Sequence, residues 1–239
     1  MQPLPEKGDA IAATGSSSPP LRVIGFGDPV AAGSACDCAG FVQPAADTLA
    51  RERGRDAQVA NFATGGFTST DVVEQLLDGN VRRQVTGADV VVIEVGANDF
   101  DEQRVYDADC ADAPASGCFD PAVSTMSTNL TTVVSTVKAL DPNGRIVLAG
   151  YWNVFRDGKI GAAEGSTYVG ASDSLTRWVN AVIDRIATEE GVAYADVYTA
   201  LKGADGRADV TDYLAEHGDH PNSDGHTVLA AAVVDAVDH

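Results

Sequence analysis

DVVVIEV, residues 89–95, is the stretch that decides the fold. It is nearly continuous in β-branched residues, too short for a buried helix, and leads directly into Gly96-Ala97-Asn98-Asp99. A run of this kind, without polar alternation, marks a central parallel strand covered on both faces. On either side of it, LRVIGF (21–26), residues 58–62, 145–150 and 192–197 read as four further strands, each running into glycine or a polar turn. Between them lie stretches with helical spacing. Phe41, Ala45 and Leu49 recur on one side of residues 41–53, and Val72, Val73, Leu76 and Leu77 mark a short helix over 70–77. Val123, Met126, Leu130, Val133, Val134, Val137 and Leu140 form an amphipathic stripe stopped by Asp141-Pro142-Asn143-Gly144. Leu175, Trp178, Val179, Val182, Ile183 and Ile186 mark another helix, with Ser172 or Asp173 as candidate N-caps, and residues 227–237 close the chain as a helix.

Parallel neighbours need crossovers, so five strands alternating with helices imply a three-layer α/β/α fold around a parallel sheet. A chain of 239 residues fits one such domain, expected over 21–239. Residues 1–20 are rich in Pro, Gly, Ala and Ser, lack an apolar core and read as a flexible leader without a visible signal peptide. No apolar run approaches the length of a membrane span. With 35 acidic against 16 basic residues the formal charge is −19, which repels phosphate backbones and anionic lipid, so nucleic acid is excluded as a partner.

Four cysteines are present. Cys110 and Cys118 share one loop-like stretch and are expected to close a small disulfide, whereas Cys36 and Cys38 are too near in sequence for a comfortable mutual bridge. The spacings C-x-C and C-x7-C do not match common zinc frames, so neither a metal nor another cofactor is expected. An oxidising, secreted location fits the cysteines better.

Ligands of open parallel sheets bind beyond the carboxyl ends of the strands, which directs attention to the residues just past each one. The first strand leads into Gly27-Asp28-Pro29-Val30, the second into Asn61-Phe62-Ala63-Thr64-Gly65-Gly66, and the third into Gly96-Ala97-Asn98-Asp99. Asp219-His220-Pro221-Asn222 precedes the last helix. In this order the four blocks resemble the SGNH, or GDSL, hydrolase family of serine esterases and lipases over nearly all of residues 21–238. The resemblance implies a five-stranded flavodoxin-like sheet and a carboxyl-ester hydrolase. It makes Gly66 and Asn98 the oxyanion donors and His220 the base, and the block that starts with Gly27-Asp28 places the nucleophilic serine at position 29.

Two positions depart from that pattern. Pro29 stands where the serine belongs, and His217 stands three residues before His220, where the orienting acid belongs. Glu216, Asp219 or Asp212 remain as alternative orienters, none with the expected spacing. Proline has neither a hydroxyl to form an acyl-enzyme nor a backbone N–H for the oxyanion. Removing a triad serine costs about 10⁶ in kcat in subtilisin, and removing one oxyanion donor about 10²–10³. The fold tolerates the change, because proline is welcome in the first turn of a helix.

The residues leave two functions open. One is an impaired or ligand-binding protein whose cleft accepts a small acyl ester or a glycan; the other is an active esterase using Ser34 or a water activated by His220. Asp28 is expected to anchor its loop by hydrogen bonds. Residues 101–120 and 151–170 are insertions above the strand ends, and Tyr151, Trp152, Phe155 and Tyr168 either wall the cleft or only pack the loops. His226 and His239 read as bland.

Overall fold

The computed structural model describes residues 18–239. Five strands, β1 (Leu21–Gly27), β2 (Ala57–Asn61), β3 (Val90–Glu94), β4 (Arg145–Ala149) and β5 (Ala193–Ala195), form one all-parallel sheet in the order β2-β1-β3-β4-β5. The helices are α1 (Pro29–Ala32), α2 (Val42–Glu52), α3 (Ser69–Gln75), α4 (Gly79–Val85), α5 (Ala113–Ser116), α6 (Asp120–Leu140), α7 (Gly158–Ala163), α8 (Ser166–Glu190), α9 (Val197–Lys202) and α10 (Ser223–Asp238).

Alternation along the strands sorts side chains into two cores. Ile24, Phe26, Val91, Ile93, Ile146 and Leu148 pack with residues of α3, α4, α6 and α8 on one face. Leu21, Val23, Val90, Val92, Val147 and Ala149 pack with α2, α9 and α10 on the other. The sheet is therefore a middle layer, and all five residues of β3 are buried, as expected of a nearly continuous apolar strand. Strand order reverses at β1 and β3, so their carboxyl ends open the crevice where ligands of such sheets bind.

Several local expectations change. Helix α8 begins at Ser166, so Ser172 is not an N-cap but a buried residue inside the helix, its Oγ donating to the Val169 carbonyl; Asp173 likewise lies within α8. The apolar stripe over 175–186 marks only the part of α8 that faces the core. Cys36 and Cys38 are bonded to each other, contrary to the spacing argument. Across Asp37 the two Cα atoms lie 5.1 Å apart, within the usual range for a bridge, and Ala35 just before them has a left-handed φ of 59°. Cys110 and Cys118 pair as expected. Of the leader, residues 1–17 lie outside the described residues, while the Pro19 and Pro20 carbonyls accept hydrogen bonds from Arg55.

Candidate active site

The turn after β1 is fixed from below. Gly27 has φ 151°, and a Cβ there would lie 1.9 Å from the Glu94 carbonyl oxygen, so only glycine lets β1 and β3 close at this point. The next residue, Asp28, is fully buried and caps α1: its Oδ1 accepts from the Val30 N–H at 3.0 Å. Its other oxygen accepts from the Tyr151 hydroxyl, which in turn accepts from the Ala97 N–H. These bonds tie the ends of β1, β3 and β4 together through Asp28 and Tyr151. Pro29 comes next, at the first position of α1.

Glu94, the last residue of β3, is a buried carboxyl with no hydrogen-bond partner for either oxygen among the described residues. Burial and the neighbouring Asp28 charge push it well above the ordinary carboxylate range, which keeps it protonated. Burial raises Asp28 too, to about 6, against the opposing effects of the Tyr151 hydroxyl, the Val30 N–H and His220. Asp28 is the member of the pair that carries the charge at neutral pH.

On the β2 and β3 side, the loops are cross-linked. Ser69 donates through its N–H and hydroxyl to the two oxygens of Asp99, at 2.8 and 2.6 Å. Asn129 of α6 donates to Ser69 Oγ at 2.9 Å and Thr70 Oγ1 at 3.0 Å. Asn98 is exposed and donates one amide hydrogen to the Phe67 carbonyl at 2.9 Å. Gly66, exposed with φ 82°, sits in the turn just before Phe67.

The loop before α10 is held by Asn222. Its Oδ1 accepts from the N–H groups of Asp224 and Gly225, and its Nδ2 donates to the carbonyls of Asp212 and Leu214. His220 projects from this loop, with Nδ1 2.8 Å from Asp219 Oδ1. That contact is an ion-pair distance only: Nδ1 has no acceptor in hydrogen-bonding alignment.

These elements enclose a cleft of about 240 Å³ lined by Asp28, Pro29, Asn98, Tyr151, Asp219 and His220, with Phe100, Glu102, Asn153, Phe155 and Arg156 among its outer residues. Four of the sequence-derived candidates, Asp28, Pro29, Asn98 and His220, therefore share one site. Gly66, His217 and Ser34 do not line it. His217 is exposed, and Ser34 lies against the turn at Gly65. The aromatic candidates divide. Tyr151 and Phe155 line the cleft, Trp152 is buried in the core on the α2 and α10 face, and Tyr168 packs under the insertion, donating to Glu102 and accepting from the Arg156 N–H.

Sequence reasoning missed Glu102, Asn153 and Arg156. Arg156 pairs with Glu102 and Glu164 over the cleft mouth. The strand-end rule, applied to the segment after β4, points to Asn153 and Arg156. The acid inside the apolar run of DVVVIEV was a signal for Glu94.

A 2-1-3-4-5 parallel sheet with a polar cleft over the β1 and β3 ends defines a doubly wound α/β protein with a strand-end ligand site. The chain belongs to the GDSL-like lipase/acylhydrolase family, whose sequence pattern matches residues 25–228. It is similar in fold to the lipase Lip_vut3 from a goat rumen metagenome (17% identity, 90% of this chain and 97% of that one, TM-score 0.72). It is also similar to an extracellular lipase from Streptomyces rimosus (19% identity, 90% and 99% covered, TM-score 0.65). A third similar structure is the acetylxylan esterase Axe2 from Geobacillus stearothermophilus (20% identity, 94% and 96% covered, TM-score 0.62). No curated protein matches the chain by sequence.

Proposed function

We propose that this chain is a catalytically impaired member of the GDSL-like family that binds small acyl esters without turning them over at an enzymatic rate. The observation that carries the reading is Pro29 at the first position of α1, on the cleft wall facing the residues that would bind and activate an ester. In this reading position 29 is that of the nucleophile, Asn98 supplies an oxyanion donor and His220 is the base, while Gly66, the other donor the family pattern implies, lies outside the cleft lining. Proline removes the attacking oxygen and, with its missing N–H, a donor to the oxyanion.

The second departure acts in the same direction. A catalytic imidazole needs an acceptor for Nδ1–H that fixes its tautomer and aim. His217 stands at the position of that acceptor and is exposed, and the Asp219 contact is out of line. Ser34 is no substitute nucleophile, because it lies outside the cleft that holds His220. A small-ester ligand suits the cleft volume and its mixed lining of Phe100, Phe155, Tyr151 and Asn98. Paired cysteines and the extracellular lipase among the similar structures support a secreted protein.

The test is hydrolysis of a short-chain activated ester by the unaltered protein and by His220→Ala, beside calorimetric titration with a non-activated short-chain ester. The reading expects equal, near-background hydrolysis and saturable binding. Turnover in the unaltered protein that disappears in His220→Ala overturns it in favour of an active esterase using a His220-activated water.

A further inference from the structure

Away from the cleft, a loop after α1 carries Ser34-Ala35-Cys36-Asp37-Cys38-Ala39. Its two ends touch: a Cβ on Gly33 would lie 2.6 Å from the Gly40 N, and one on Gly40 would lie 2.7 Å from the Ala31 carbonyl oxygen. This pinch holds the Cys-x-Cys tip against the first turn of α10, where His226 sits. The Cys36 and Cys38 sulfurs and a ring nitrogen of His226 all lie within 4.8 Å of one another.

His226 is the second observation. It is 1% exposed, stacks on Phe41, and neither ring nitrogen has a hydrogen-bond partner among the described residues. A buried imidazole without an acceptor or a donor is costly, and native interiors pair such groups or give them to a ligand. Nothing in the sequence cues this: His226 reads as an ordinary first-turn residue until the fold places it beside the sulfurs.

We propose that Cys36, Cys38 and His226 form a redox-gated site for a thiophilic d¹⁰ cation, Zn²⁺ being the reference ion. The disulfide is the closed form. A dithiol reductant opens it by exchange: one reductant thiolate attacks a protein sulfur, the second closes on the first, and the products are two cysteine thiols and an oxidised, cyclic reductant. The cation then replaces the two thiol protons, giving two S–metal bonds and one N–metal bond, with one position left for water. Zinc–sulfur bonds of about 2.3 Å and zinc–nitrogen bonds of about 2.0 Å call for ligand atoms roughly 3.5–4 Å apart. The two sulfurs, bonded to each other in the closed form, part by about 2 Å to reach that spacing, with His226 fixed on α10. Two thiolates and a neutral imidazole match the soft-donor preference of such ions, and a chain of charge −19 draws cations toward it.

This inference is independent of whether the cleft hydrolyses esters. The protein is reduced with a dithiol without air, freed of the reductant and titrated with Co²⁺, whose sulfur-to-metal charge-transfer band reports thiolate ligation; Zn²⁺ affinity is read by competition with a chromophoric chelator. The expected result is a single metal ion per reduced chain and none bound with thiolate character in the oxidised chain. The double variant Cys110→Ser/Cys118→Ser keeps the band. Cys36→Ser loses it, and its zinc affinity falls by more than the roughly 10–100-fold typical of losing an outer-shell partner. His226→Gln keeps a weakened band with a similar loss of affinity. Far-ultraviolet circular dichroism confirms folding, and Cys38→Ser serves where His226→Gln does not fold. The proposal is overturned if the folded, reduced protein takes up no metal. It is equally overturned if the oxidised protein binds as tightly, or if the band tracks Cys110 and Cys118 instead.

Discussion

The two walls of the cleft are built by different means. The wall that carries Asn98, after β3, is knitted from behind to the loop after β2: Asn98 to the Phe67 carbonyl, Ser69 to Asp99 twice, Asn129 to Ser69 and Thr70. The wall made by the β1 turn and the loop before α10 presents Pro29 and a His220 whose Nδ1 has no aligned acceptor. The difference separates framework from chemistry. Bonds that hold loops satisfy buried backbone groups and stabilise the fold whether or not anything reacts. A nucleophile or a base adds little to packing, so it can be replaced while the cradle around it stays whole.

Rearming the second wall should produce the largest effect. In subtilisin, loss of the serine costs about 2 × 10⁶ in kcat and loss of the aspartate alone about 3 × 10⁴. By that scale Pro29→Ser alone gains roughly 10² in ester turnover over the unaltered protein, and Pro29→Ser with His217→Asp gains on the order of 10⁶. Steady-state kinetics on one activated ester check both. A double variant that folds and gains nothing would mean that the first wall is not an oxyanion site.

Stability should separate the walls as well. Asp99→Ala strips acceptors from the Ser69 N–H and hydroxyl and is expected to cost about 2–3 kcal/mol in urea unfolding, the range for orphaned buried donors of a charge-assisted pair. His220→Ala is expected to cost under about 1 kcal/mol, as for a site without specific partners. Equal costs would erase the distinction between the walls.

A further effect is in pH dependence. Burial, with His220 nearby, lowers His226 to about 4, so it is neutral in the fold but protonates in the unfolded chain below about 6.5. Its contribution is whole above pH 6.5 and is lost as pH falls through about 4. Asp28, raised to about 6, has the opposite sign: its contribution is whole below about 3.8 and is lost as pH rises through about 6. The stability of the unaltered protein minus that of His226→Gln should therefore rise from pH 4 to 6.5, by at most about 1.4 kcal/mol per pH unit. The same difference taken against Asp28→Asn should fall between pH 4 and 6. Flat differences would contradict the assignment.

The fold was largely legible because its signals are local. A nearly continuous β-branched run at residues 89–95 and glycines after strands identify a covered parallel sheet without knowledge of tertiary contacts. The start of α8 was not legible, since residues 166–174 carry little apolar stripe and are held by packing under the insertion. In the site, Asp28, Pro29, Asn98 and His220 were legible from the short blocks at strand ends and before the last helix, and all four line the cleft. Arg156, Glu102 and the Asp28–Tyr151 bond were not, because these contacts join residues 54 and 123 positions apart. Nor could spacing reveal that the Cα atoms of Cys36 and Cys38 lie 5.1 Å apart and carry a bridge.

Whether any nucleophile stands in this cleft decides between an impaired and a working enzyme. Treating the unaltered protein with a fluorophosphonate that traps activated serines, and reading its intact mass, answers that question. An unmodified chain is expected, alongside a labelled Pro29→Ser/His217→Asp variant. A stoichiometric adduct on a serine of the unaltered protein, absent in His220→Ala, would contradict the impaired reading.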